Sequence, residues 1–178
     1  MRNLISRGVV AALLATSAWA DTDVVTAVHG TVTKVDSATK TIVVKTADGT
    51  EHTVKFVAKT SVHGTDAAAK DTFHGLKEGS EVVAHYTAKG TEKTAVEVDR
   101  VGKDGMKAVD GTVSTLDRGT KKLVVKTADG TEHTFKIADR AVVDAGKDVG
   151  KGVEKSSKVT VYYTEDAGKK VAHFFENH

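Results

Sequence analysis

No cysteine occurs among the 178 residues of the chain, so it has no disulfide, no thiolate metal site and no thiol nucleophile. Proline is absent as well, which composition alone does not explain. Aromatic residues are sparse, with one Trp, three Tyr and five Phe. Few rings are therefore available to stack on bases or sugars. Neither sign of charge dominates: 26 basic residues face 24 acidic ones, and without Arg2 and Arg7 the balance is 24 to 24. A neutral chain with few rings argues against a general polyanion binder, nucleic acid included. The apolar run Gly8–Ala15 is too short to span a bilayer. There is no G-x-S-x-G elbow, no glycine-rich phosphate cradle and no His-x-x-x-His pair. Nothing in the sequence points to an enzyme.

Residues 1–20 read as a secretory signal peptide. Arg2 and Arg7 supply the positive start, Gly8–Ala15 the apolar stretch, and Ala18-Trp19-Ala20 the small-x-small cleavage pattern before Asp21. The missing cysteine excludes a lipoprotein signal. The expected product is periplasmic or secreted, without a membrane span in the mature chain. Lacking disulfides, it depends on apolar cores, and a domain of about 80 residues buries only about 60% of its unfolded surface.

One stretch organises what remains. Val43–Thr53 and Val124–Thr134 both read VVKTADGTEHT. The Asp48-Gly49 and Asp129-Gly130 pairs can take the positive φ values of a tight primed hairpin turn. After the first turn His52, Val54 and Phe56 fall on one face and Glu51, Thr53 and Lys55 on the other; His133, Phe135 and Ile137 repeat the first face. The same offset relates Gly30-Thr31-Val32 to Gly111-Thr112-Val113 and Asp36 to Asp117, and after a four-residue deletion Val82 aligns with Val159 and Tyr86 with Tyr163. The deletion marks a surface loop between Thr65 and His74, whose alanine-rich stretch suits a helical turn. A whole-domain duplication follows, with repeats at 21–103 and 104–178. Each repeat reads as five strands, the first bent at its glycine, with a short extended piece at Ser61–His63.

The predicted fold is all-β: two tandem small five-stranded barrels. Gly30–Asp36 (G-T-V-x-x-V-D), the Asp48-Gly49 hairpin and Leu76–Val82 (L-K-x-G-x-x-V) together resemble the small OB-like β-barrel domains of exported bacterial proteins, a group of unknown function. The resemblance implies fold and export and carries no catalytic or ligand residue with it. The second repeat departs from the pattern at Ser156, which stands where the motif has glycine.

Histidine is the residue class most able to carry chemistry. His52 and His133 are equivalent and belong at a barrel mouth; the remaining six are not repeated. Imidazoles with carboxylates are the ligands a thiol-free exported protein can offer zinc, copper or nickel. His63, His74 and His85 form the candidate metal set, with the loop folded back over the strand that holds His85. No other cofactor is implied. Tyr86 and Tyr163 point inward, whereas Tyr162, His173 and Phe174 form a candidate exposed patch for docking the neighbouring domain or a partner. Two functional readings stay open: a non-enzymatic exported module that binds an envelope protein or polymer, and a periplasmic metal-binding protein using first-repeat histidines.

Overall fold

A computed structural model describes residues 25–178 apart from 66–68, 103, 144–146 and 149–151. The proposed signal peptide and most of the alanine-rich stretch lie outside the described residues. The first repeat contains β1 (Val25–Asp36), β2 (Thr41–Lys45), β3 (Glu51–Lys55), β4 (Ser61–His63), β5 (Glu81–Lys89) and β6 (Glu92–Arg100). The second contains β7 (Lys107–Asp117), β8 (Lys122–Lys126), β9 (Glu132–Val143), β10 (Lys147–Asp148), β11 (Lys158–Asp166) and β12 (Lys169–Asn177). Among the described residues no helix is long and apolar enough to cross a membrane.

Each repeat closes on itself. β1, β2 and β3 form an antiparallel meander, β1 also pairs with β5, β5 with β6, and β6 returns to β3 in parallel through Lys55 and Thr94. That ring, with a single parallel junction, is the connectivity of an OB-like barrel and leaves few open edges. The second repeat follows the same circuit from β7 through β8, β9, β12 and β11 back to β7. Strands of period two explain the cores. Val32, Ile42, Val44, Val54, Phe56, Val82, Ala84, Tyr86 and Val98 fill the first barrel; Val113, Leu123, Val125, Phe135, Val159, Val161, Tyr163 and Phe175 fill the second.

Local chemistry sets the bends. A Cβ on Gly30 would meet the Lys45 carbonyl oxygen at 2.3 Å, and one on Gly111 the Val125 side chain at 2.5 Å. Glycine lets the long first strand cross its neighbour at that point. The hairpin turns differ from the expected primed form, because only Gly49 (φ 86°) and Gly130 (φ 88°) take positive φ. Gly49 N–H donates to the Thr46 carbonyl (2.9 Å) and Thr46 N–H to the Thr50 carbonyl (3.0 Å), so the turn is a tight bend closed by a glycine bulge. Asp48 acts through its side chain, accepting from Thr50 N–H at 3.0 Å and from the Thr46 hydroxyl. Asp129 repeats both contacts. Ser156 adopts φ 75° where its counterpart Gly79 has 84°, and both backbone N–H groups donate to the first strand of their barrel at 2.8 Å.

The repeats differ at one strand. In the second, β9 is one continuous strand that pairs with β12 on both sides of a register shift. In the first, the Thr60 hydroxyl accepts from Val57 N–H (3.0 Å) and donates to the Ala95 carbonyl (2.8 Å), splitting the strand so that β4 forms a separate edge paired in parallel with β6.

A third apolar cluster joins the barrels. Ala27 and Val83 of the first pack with Tyr162 and Phe174 of the second and with Met106 of the connection, Val101 lying alongside. The connection is itself tight, since Met106 N–H donates to the Arg100 carbonyl at 2.8 Å.

Candidate functional site

Alternation on β5 sends Val82, Ala84 and Tyr86 into the first barrel and turns Val83 and His85 outward. On β6, Val98 points in, which leaves Glu97 and Asp99 on the outer face beside them. The parallel edge strand β4 sets His63 in register with Asp99. The result is a cluster of two carboxylates and an imidazole whose ligand atoms all lie within 4.8 Å of one another. His63 Nδ1 stands 2.9 Å from Asp99 Oδ1 and 3.2 Å from Glu97 Oε1. A tetrahedral ion with bonds of about 2.1 Å separates its ligands by about 3.4 Å, so these three atoms need little movement to bind one.

Burial is uneven across the cluster. Asp99 is 2% exposed, whereas the His63 side chain is 58% exposed and leaves the site open to solvent. Asp99 Oδ2 has no hydrogen-bond partner among the described residues and faces His85 Nδ1 across 3.9 Å, too far for a hydrogen bond. Burial, reinforced by the charge of Glu97, pushes the Asp99 carboxyl up to about 6, with only partial relief from His63. A buried carboxylate with an unused oxygen, held against a second carboxylate, is a poor arrangement without a cation.

The sequence-predicted residues are therefore divided. His63 belongs to the cluster, and His85, 3% exposed, lies behind Asp99. His74 does not join them: it is exposed in the turn before β5 at φ 51°, where its N–H donates to the Asp71 carbonyl at 3.1 Å. Glu97 and Asp99 were not singled out by the sequence, although their i, i+2 spacing opposite His85 places them on one face.

Of the two uses open to the apolar patch, docking of the neighbouring domain is the one seen for Tyr162 and Phe174. Tyr162 (4% exposed) and Phe174 (0%) are buried against Ala27 and Val83, so the apolar surface they offer is already used by the first barrel. His173, half-buried next to Phe174, shares a 2.9 Å hydrogen bond with the Thr164 hydroxyl. Burial pushes its imidazole down, and the nearby Glu97 and His63 act on it in opposite senses.

A polar clamp borders the apolar contact. His29 Nδ1 lies 2.9 Å from Glu176 Oε1 and 3.0 Å from the Tyr162 hydroxyl, while His29 Nε2 lies 2.9 Å from Glu81 Oε1. The Tyr162 hydroxyl donates to Glu176 Oε2 at 2.8 Å. Burial by itself would lower the His29 pKa, but the hydrogen bonds and charges of Glu176 and Glu81 outweigh it and raise it.

The equivalent histidines occupy the barrel mouths. Lys93 Nζ donates to His52 Nδ1 and Lys170 Nζ to His133 Nδ1, each at 2.8 Å. The lysines also lie over the Tyr86 ring at 5.3 Å and the Tyr163 ring at 5.6 Å. Accepting from an ammonium, Nδ1 is occupied in both, which makes these histidines structural plugs.

No protein-family model and no curated protein matches the chain. Among solved structures, a crystal structure of Ag(I)CusF is 12% identical, covers 41% of this chain and 97% of its own, and has a TM-score of 0.34. CusF–Ag(I) residues 10–88 from Escherichia coli are also 12% identical, over 41% and 91% of the two chains, with a TM-score of 0.33. A structure of Drosophila Unr CSD456 is 13% identical over 86% of this chain and 61% of its own, with a TM-score of 0.35. Likeness at this level carries no functional argument.

Proposed function

We propose that this is a non-enzymatic exported protein that binds a divalent transition-metal ion, zinc, copper or nickel, at His63, Glu97 and Asp99. The observation that supports this reading best is Asp99 Oδ2, a buried carboxylate oxygen with no hydrogen-bond partner among the described residues, in the same cluster as His63 and Glu97. Two carboxylates neutralise a dication, and one imidazole favours a borderline-soft ion over calcium or magnesium. Solvent access at His63 gives the ion a route in. On binding, any proton on Asp99 is displaced, so uptake strengthens as pH rises through about 6.

An exported module that binds an envelope protein or polymer is the second reading. Its sequence support was the apolar patch, and the burial of Tyr162 and Phe174 between the barrels removes that support.

Isothermal titration of untagged protein with zinc, nickel and copper(II) tests the metal reading. One ion should bind per chain, and His63→Ala and Asp99→Asn should each weaken binding at least tenfold. An absence of stoichiometric binding, or binding unchanged in both variants, would refute it.

A further inference from the structure

The duplication sets one row of three outward residues across each barrel. Thr31 stands in register with Lys45 on one side and Glu81 on the other, and Thr112 likewise with Lys126 and Lys158. All are exposed, because Val32, Val82, Val113, Val125 and Val159 beside them point into the cores.

The two rows differ in charge. In the first, Lys45 and Glu81 balance, and Glu81 Oε1 lies 2.9 Å from His29 Nε2. In the second, lysine stands where the first has glutamate, so two lysines flank Thr112 across two strand spacings, about 10 Å. Neither Lys126 nor Lys158 has an ion pair or a side-chain hydrogen bond among the described residues. Like charges in one row repel, and nothing described in the chain offsets this pair.

The space beside the rows differs as well. Thr112, Lys126 and Lys158 line a cleft of about 410 Å³ together with Ala128 and Val159, a size that suits a small organic molecule. Its counterpart beside Thr31, Lys45 and Glu81 holds about 260 Å³. Asp110 is the one acidic side chain on the larger cleft, and it is already engaged. The Thr160 hydroxyl donates to Asp110 Oδ1 at 2.5 Å and accepts from His178 Nε2 at 2.7 Å.

We propose that the second barrel's cleft binds a small organic anion, with its oxyanion on Lys126, Thr112 and Lys158 and its apolar body against Ala128 and Val159. A carboxylate or phosphate placed over Thr112 relieves the repulsion between the lysines and accepts a charge-assisted hydrogen bond from each. The first barrel does not share this property, because Glu81 repels an anion there. The site is independent of the metal cluster, which belongs to the first barrel.

Titration of the full chain with phenyl phosphate and with benzoate, followed by backbone amide shifts, tests this. At least one should saturate at one equivalent per chain and shift Thr112 and Ala128, while Thr31 and Ala47 stay in place; the tighter of the two identifies the oxyanion. Lys158→Glu, which gives the row the charge order of the first barrel, should weaken binding at least tenfold. Lys59→Glu, an equal charge change in an exposed turn of the first barrel, should leave it unchanged. Equal weakening by both variants would overturn the proposal, as would binding of benzyl alcohol or inorganic phosphate as tight as that of the two probes. Failure of both probes to saturate would overturn it too.

Discussion

The two barrels present the same sheet face to one another, and the two faces have diverged. Matching β5 pairings with β11 pairings sets His85 against Tyr162, Glu97 against Phe174, Asp99 against Glu176 and His29 against Asp110. Where the first face carries His85 and Glu97, the second carries the rings of Tyr162 and Phe174, and both faces keep a carboxylate at Asp99 and Glu176. The barrel mouths, in contrast, are the same in both repeats, with His52 on Lys93 and His133 on Lys170. What the duplication kept in common maintains the barrels; what differs forms the docking contact and the candidate site. The contact is made by Tyr162 and Phe174, which pack on Ala27 of β1 and on Val83, the cross-strand partner of Asp99.

The largest expected effect comes from removing the covering ring. Phe174→Ala should cost about 3–5 kcal/mol of stability in the docked chain. Chemical denaturation should then show a separate, earlier loss of the interface, while the core around Phe175 persists. A single transition at the wild-type midpoint would show that the faces do not depend on each other.

Asp99→Asn breaks the comparison from the other side. The carboxyl, pushed up to about 6 from 3.8, binds its proton more tightly in the folded than in the unfolded state. In metal-free protein its contribution is therefore complete below pH 4 and lost as pH rises through about 6, a span of roughly 3 kcal/mol. Urea denaturation in chelator at pH 8 should find Asp99→Asn more stable than wild type by up to about that amount. Zinc affinity should fall by more than about 100-fold, beyond the roughly 10–100-fold that loss of an outer partner costs. A variant destabilised at pH 8 without metal would contradict the burial argument.

The polar clamp gives a smaller, pH-dependent effect. A raised His29 pKa means that the charged imidazole favours the docked state fully below about 6.5, and that this is lost as pH rises through the folded value. His29→Gln should remove that dependence and cost about 1–3 kcal/mol in acid, measured by thermal unfolding across pH 5–8.5. At Ser156, held at φ 75°, glycine should add about 1 kcal/mol to the second barrel. The equivalent Gly79→Ser should cost the same, as the midpoints of urea melts will show.

The barrels were legible in the sequence because period-two alternation and Asp-Gly turns are local signals, and the internal repeat confirmed each one. Inward Tyr86 and Tyr163 followed from the same alternation. The turn type was not legible, since Asp48 and Asp129 serve through side-chain acceptors and leave positive φ to glycine alone. Glu97 and Asp99 looked like an ordinary solvated strand face. Their meeting with His63 depends on the parallel β4–β6 pairing, which joins residues 36 apart and has no local signature. Tyr162 and Phe174 read as an apolar patch for the neighbouring domain or a partner, and the long-range packing that selects the first has no local signature.

Zinc titration followed through the histidine ring nitrogens by long-range 1H–15N spectroscopy tests the central claim most directly. The account predicts that His63 shifts and saturates at one zinc per chain, while His52 and His133 at the barrel mouths stay in place. Shifts spread over all the histidines without saturation, or confined to His74 and His178, would contradict it.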